Sequence, residues 1–199
     1  MTGYLLTGAL ALSLLAGCAA TGAGKPDTAA QAAQTSAQQT QTMTPLQAAI
    51  AAGDRATALA LLSGQADPNA TTEKMPWSPL HLAAEKGDAV LVKALLAAGA
   101  RIDAPGPGGV TPLMKAVSRG QLTAAKALIR AGADVNAVAE GRSVLMQAAE
   151  SGAMLMVQVL LEAGADVHFH SAAGTPLEAA QKGGHKDIEM LLLQWGAGG

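Results

Sequence analysis

Ser78-Pro79-Leu80-His81-Leu82-Ala83-Ala84 opens a stretch that passes through Gly87, rises to the paired aliphatics Leu95-Leu96 and closes on Gly99-Ala100. The same order of residue types occurs five times. Its openings are Thr44-Pro45-Leu46, Ser78-Pro79-Leu80, Thr111-Pro112-Leu113, Ser143-Val144-Leu145 and Thr175-Pro176-Leu177, at offsets of 34, 33, 32 and 32 residues. Each opening leads to small residues and then to Gly53, Gly87, Gly120, Gly152 or Gly184. A second apolar stretch follows and ends at Leu61-Leu62, Leu95-Leu96, Leu128-Ile129, Leu160-Leu161 or Leu191-Leu192. Gly-Ala recurs after four of these, at 99, 132, 164 and 196. A period of this length is the mark of a stacked-repeat architecture.

Each part of the unit has a mechanical reason. Thr or Ser caps a helix, and Pro suits its first turn. Alanines let the first helix lie close to its neighbours. The mid-repeat Gly permits a tight turn into a second helix, and the later Gly permits the left-handed residue that ends it. A polar stretch such as Asp134-Val135-Asn136 suits a hairpin turn between units.

On these motifs the chain resembles the ankyrin repeats, over residues 44–197. The resemblance implies an all-α fold: an ankyrin-repeat solenoid of five helix-turn-helix repeats with short β-hairpin loops, set in a domain spanning 44–199. Several positions depart from the pattern. Gln65 stands where Gly is expected, with Gly64 displaced by one. Val144 replaces Pro, and Met114, Met146 and Glu178 stand where His is usual. The loop before Thr175 is a residue short, with Gly174 shifted.

Composition narrows the function. Aromatics are 2% of the chain, so Ala, Leu and Val must fill the core. The net charge of -2 leaves no basic stripe for phosphates, which argues against a nucleic-acid partner. A single cysteine, Cys18, rules out an intramolecular disulfide and a cysteine-based zinc site.

That cysteine closes Leu15-Ala16-Gly17-Cys18, behind an apolar run of signal-peptide length over residues 5–17. The stretch resembles a bacterial lipoprotein signal with its lipobox, although Met1-Thr2-Gly3-Tyr4 lacks the usual positive charge. It implies a signal peptide over 1–17 and lipidation of Cys18, with the membrane reached through that lipid. Ala19, rather than Asp, follows the cysteine, which implies an outer-membrane anchor facing the periplasm. Residues 18–43, rich in Ala, Gln and Thr, read as a flexible tether.

No catalytic constellation emerges, so the chain reads as no enzyme, with no cofactor and no small-molecule substrate. Ser143 and Ser151 have no His or acid suitably spaced, and Asp54, Asp88, Glu150 and Asp187 read as helix caps and solubilising charges. His81 and His185 fall at repeat positions where imidazole satisfies backbone groups. His168 and His170 share ligand-like spacing but lack a third donor, so no metal is expected. Met154 and Met156 read as gap-filling core.

The remaining function is recognition of a protein partner. The resemblance implies a concave face formed by residues just before each triplet and at the end of each first helix. Here these are Met75, Trp77, Glu85, Lys86, Val110, Ser118, Arg119, Arg142, Glu150, Ser151 and Lys182, with Phe169 in the last hairpin. Trp77 and Phe169 fall at no core position of the repeat; Trp77 is expected to be exposed as a binding hot spot, the alternative being that it folds back to shield the edge of the slightly overlong first loop. The leading reading is an accessory or inhibitor protein of a periplasmic enzyme, an immunity protein included. The alternative is a structural outer-membrane lipoprotein with no regulated partner.

Overall fold

The computed structural model describes residues 43–197, so the signal-type stretch, Cys18 and nearly all of the tether lie outside the described residues. Ten α-helices occur among those described. They form five pairs: α1 (Pro45–Ala52) with α2 (Arg55–Ser63), α3 (Pro79–Lys86) with α4 (Ala89–Ala97), α5 (Pro112–Ser118) with α6 (Leu122–Arg130), α7 (Val144–Glu150) with α8 (Met154–Glu162), and α9 (Pro176–Gly183) with α10 (Lys186–Gln194). The first members of the pairs stack on one another as inner helices, and each outer helix packs on its own inner helix.

The five N-caps fall at Thr44, Ser78, Thr111, Ser143 and Thr175. Thr44 and Thr175 close full capping boxes with Gln47 and Glu178, which satisfies two helix-end amides at each site. Val144, the departure from Pro, is completely buried at the first turn of α7, so its side chain contributes packing where Pro would contribute rigidity.

A finger projects between successive pairs. Thr72 and Met75 exchange backbone hydrogen bonds around Glu73-Lys74. Residues 106–110 fold back with the Gly106 amide donating to the Val110 carbonyl. The third finger is a ladder of β1 (Val138–Ala139) and β2 (Arg142–Ser143), with Glu140 and Gly141 both at positive φ in a two-residue hairpin turn. The shortened last finger pairs Ser171 with Gly174 around Ala172-Ala173. These short arms are the only sheet structure among the described residues.

The core is one continuous cluster built from the repeated positions. Leu80, Leu113 and Leu145 on the inner helices and Leu95, Leu128 and Leu160 on the outer helices are almost wholly buried. Between them lie Ala83, Ala116, Ala148 and Ala180, all at zero exposure. Their small side chains let inner helices approach closely.

Asn69, Asp103 and Asn136 staple one repeat to the next. Asn69 accepts from the Arg101 amide and donates to the Gly99 carbonyl, and Asn136 does the same to Asp166 and Gly164. Asp103 occupies the equivalent place but, with a carboxylate, only accepts, from the Asp134 amide. Asp103→Asn should therefore add a donated bond toward Gly132 and raise stability by about 0.5–1 kcal/mol, read by urea denaturation. A neutral or negative change would show that the carboxylate already serves that turn equally well.

The irregular end of α2 offers a second test. Gln65 adopts φ 63, while Gly64 sits at φ -80, where any residue fits. The left-handed residue is thus the one with a side chain, a conformation that costs about 1 kcal/mol outside glycine. The double change Gly64→Ala with Gln65→Gly restores the Ala-Gly order found at 98–99, 131–132 and 163–164. A β-carbon at 64 would meet only Ala60 and Leu61 carbonyls at 3.4 Å. The melting temperature should rise by about 2–4 °C, corresponding to about 1 kcal/mol.

Candidate inner-face recognition site

The third residue of each inner helix decides how the finger above it is held. In the first repeat this residue is Gln47, whose Nε2 donates to the Trp77 carbonyl at 2.7 Å and the Met75 carbonyl at 3.2 Å. In the second it is His81, fully buried, with Nε2 2.9 Å from the Val110 carbonyl and Nδ1 2.8 Å from the Ser78 hydroxyl. A carbonyl can only accept, so Nε2 carries the proton and the Ser78 hydroxyl donates to Nδ1. Ser78 makes no side-chain bond to its helix amides. Met114 and Met146 hold the third and fourth positions, both buried, and close the same gap by contact alone.

Trp77 departs from the expectation. Its ring is half-buried and packs on the core rather than standing free. It meets His81 edge to face at a centroid distance of 5.2 Å, and the Lys115 ammonium lies 4.0 Å over its ring. On the other side it abuts Gly106 so closely that a β-carbon there would come within 2.6 Å of the ring, which is why that position has no side chain. Phe169 is likewise half-buried against the core. The physical reason is that each ring lies beside the core, where covering it removes apolar surface from water. The more exposed aromatic is Trp195, at 47%, just past the end of α10.

The charged residues assemble into pairs along the inner helices. Glu85 at the end of α3 receives Arg119 and, at 3.6 Å, Lys115, both from the next repeat. Arg142, on the third finger, folds back along its own helix to Glu150. Ser118 and Ser151 spend their hydroxyls on the Lys115 and Ala148 carbonyls of their own helices. Lys86 and Lys182 have no ion pair among the described residues and are exposed. Val110 is half-buried with its carbonyl held by His81, and Met75 is half-buried.

Between the third and fourth fingers lies a groove of about 390 Å³ that brings together Arg142, Glu150 and Lys182 over a floor that includes Met146 and Ala179. A smaller cavity of about 110 Å³ adjoins it on the other side of Arg142 and is lined by Met114 and Gln147. The sequence reading missed Lys115, Met146 and Gln147. Lys115 and Gln147 sit one helical turn before Arg119 and Glu150, so an i, i+3/i+4 projection from the selected positions would have found them.

The other sequence-selected groups are dispersed. His185 reaches across to the Glu150 carbonyl at 3.1 Å. Asp54 and Asp88 cap α2 and α4. Burial alone would raise the Asp88 carboxyl, but the Arg55 guanidinium and the amides of Leu91 and Val90 bring it below its ordinary value. His168 and His170 are exposed, and no group of three or more His, Cys, Asp or Glu stands together to hold a metal among the described residues.

These features define a class: a solenoid of stacked helical hairpins, with fingers on one side and a charged, grooved inner face. The chain belongs to the ankyrin-repeat family. Family models described as ankyrin repeats (three copies) and ankyrin repeat match residues 46–139 and 140–169. The fifth helix pair continues the same geometry beyond the matched range. A comparison with curated proteins finds no match. Family membership makes the chain a protein-interaction module.

His81 provides a pH test. Burial depresses its pKa, the Val110 carbonyl opposes that by stabilising the protonated ring, and the Lys115 cation depresses it further, for a net value below the ordinary 6.5. Below pH 6.5 the unfolded chain therefore takes up a proton that the folded chain refuses. Stability should fall as pH drops from about 6.5 toward the folded value, by up to about 1.4 kcal/mol per pH unit. His81→Gln, which copies Gln47, should flatten that part of the urea-denaturation profile. An unchanged slope would place the titration elsewhere.

Proposed function

We propose that this chain is an envelope-anchored recognition protein that clasps one protein partner with its inner face, acting as an accessory or inhibitor of an envelope enzyme. The observation that carries the recognition role is the charge arrangement of that face. Lys86, Lys115, Arg119, Arg142 and Lys182 stand there against Glu85, Glu140, Glu150 and Glu178. A face with one more cation than carboxylates, on a chain of net charge -2, favours an acidic partner and speeds its encounter. The anchor rests on the lipobox-type Leu15-Ala16-Gly17-Cys18, and the periplasmic side on Ala19 after the cysteine.

Two experiments test the two halves. Radiolabelled fatty acid should enter the wild-type chain and not Cys18→Ser; a wild-type chain that takes up no label removes the anchor. For recognition, crosslinked pull-down of the chain from envelope extract should recover one dominant partner. Lys86→Glu with Arg119→Glu should weaken that capture by about tenfold or more, the loss of a complementary charge pair being worth at least 1.4 kcal/mol. Leu155→Asp, on an exposed residue at the start of α8, should leave it unchanged. The reverse pattern would move the site off the inner face.

A further inference from the structure

We infer that the groove between the last two fingers receives an extended, acidic segment of the partner, laid across Arg142 with a carboxylate against Lys182. This rests on the inner-face reading above and deepens it.

Three observations converge there. The first is space. The finger of the last repeat turns on Ala172-Ala173, where the other fingers carry Glu73-Lys74, Pro107-Gly108 and Glu140-Gly141, and the inner helix below presents Ala179. Methyl side chains on two sides leave the 390 Å³ that larger residues would fill. That volume suits a few residues of extended chain with small side chains.

The second is charge. Arg142 is already neutralised by Glu150, and Glu178 holds the Thr175 amide in a capping box. Lys182 is left as the groove's cation without an ion pair among the described residues. A ligand carboxylate completes it without disturbing either existing bond. Because Glu150 and Glu178 line the same groove, the ligand's acid is confined to the Lys182 end and its small side chains lie beside the carboxylates.

The third is an unmet hydrogen bond. Gln147 lines the adjoining cavity, and its Oε1 is shut from solvent with no donor. A buried acceptor without a partner destabilises the fold. A modest rotation of the side chain turns the amide into the cavity it lines. An extended polypeptide passing over Arg142 supplies a backbone N–H and C=O there, which satisfies a carboxamide in either orientation. A free carboxylic acid or an inorganic anion would fill the Lys182 end alone.

The test uses the full chain and a displayed library of random twelve-residue peptides. Enriched peptides should carry Asp or Glu beside small apolar residues. Lys182→Glu should weaken a synthetic copy of the best peptide by about tenfold or more. Gln147→Leu should weaken it as well, while raising the stability of the free chain because the orphaned acceptor is gone. A purely structural Gln147 would not give those opposite signs. Enrichment of peptides without an acid, no enrichment at all, or indifference to both substitutions overturns the inference. If binding is indifferent to these two but lost in Lys86→Glu with Arg119→Glu, the inner-face reading stands and this one falls. If it is lost only in Leu155→Asp, both fall.

Discussion

No repeat in this chain can cover its own apolar surface, and every other feature depends on that constraint. The clearest sign is a comparison of equivalent positions. Leu161 on α8 is 2% exposed because the next repeat lies over it, whereas Leu193, which holds the same place on α10 one residue beyond the Leu191-Leu192 pair read from the sequence, is 46% exposed where the described stack ends. Leu145 and Leu177 show the same contrast on the inner helices, the first buried and the second only partly so. Burial is a property of neighbours here, so the repeats stand or fall together. The alanines on the inner helices serve the same end, because only small side chains permit the helix spacing that lets the leucines meet.

Polar closure follows the same inter-repeat logic. Gln47, His81 and His185 each reach a backbone carbonyl of an adjacent repeat, and Asn69, Asp103 and Asn136 do the equivalent at the finger bases. These bonds span about thirty residues of sequence but only one repeat of space. They fix where each finger stands relative to the helix beneath it, so the inner face is already shaped before any partner arrives. Preorganisation of this kind lowers the ordering cost of binding. The middle repeats, where Met114 and Met146 take over, hold their fingers by packing and by the Arg142–Glu150 pair instead.

The inner face is therefore neither a bare apolar patch nor a simple charged strip. Most of its ions are spent on one another, and the hydroxyls of Ser118 and Ser151 are spent on their own helices. What remains for a partner is a small set: Lys86, Lys182, the unmet Oε1 of Gln147, and the space left by Ala172-Ala173 and Ala179. Specificity from so few groups depends on their spacing, which the fingers hold.

The sequence by itself determined the repeat, its register and its family. Helix caps, proline at the first turn and glycine at the turns are local requirements, readable wherever they recur at a fixed offset, and all five caps fall at the residues the pattern marks. The tertiary structure decided what the candidate residues do. Trp77 reads in sequence as a surface aromatic, yet the gap it covers is made by Gly106 and His81, and its cation comes from Lys115, 38 positions on. Gln147 looks ordinary in sequence, and only its lack of a donor among the described residues singles it out; Lys182 is marked by its place on the inner helix, but that it has no ion pair among the described residues is visible only in three dimensions. Capping and periodicity act within a few residues of chain, whereas burial and pairing are settled by whichever residues of the neighbouring repeat fill the space alongside.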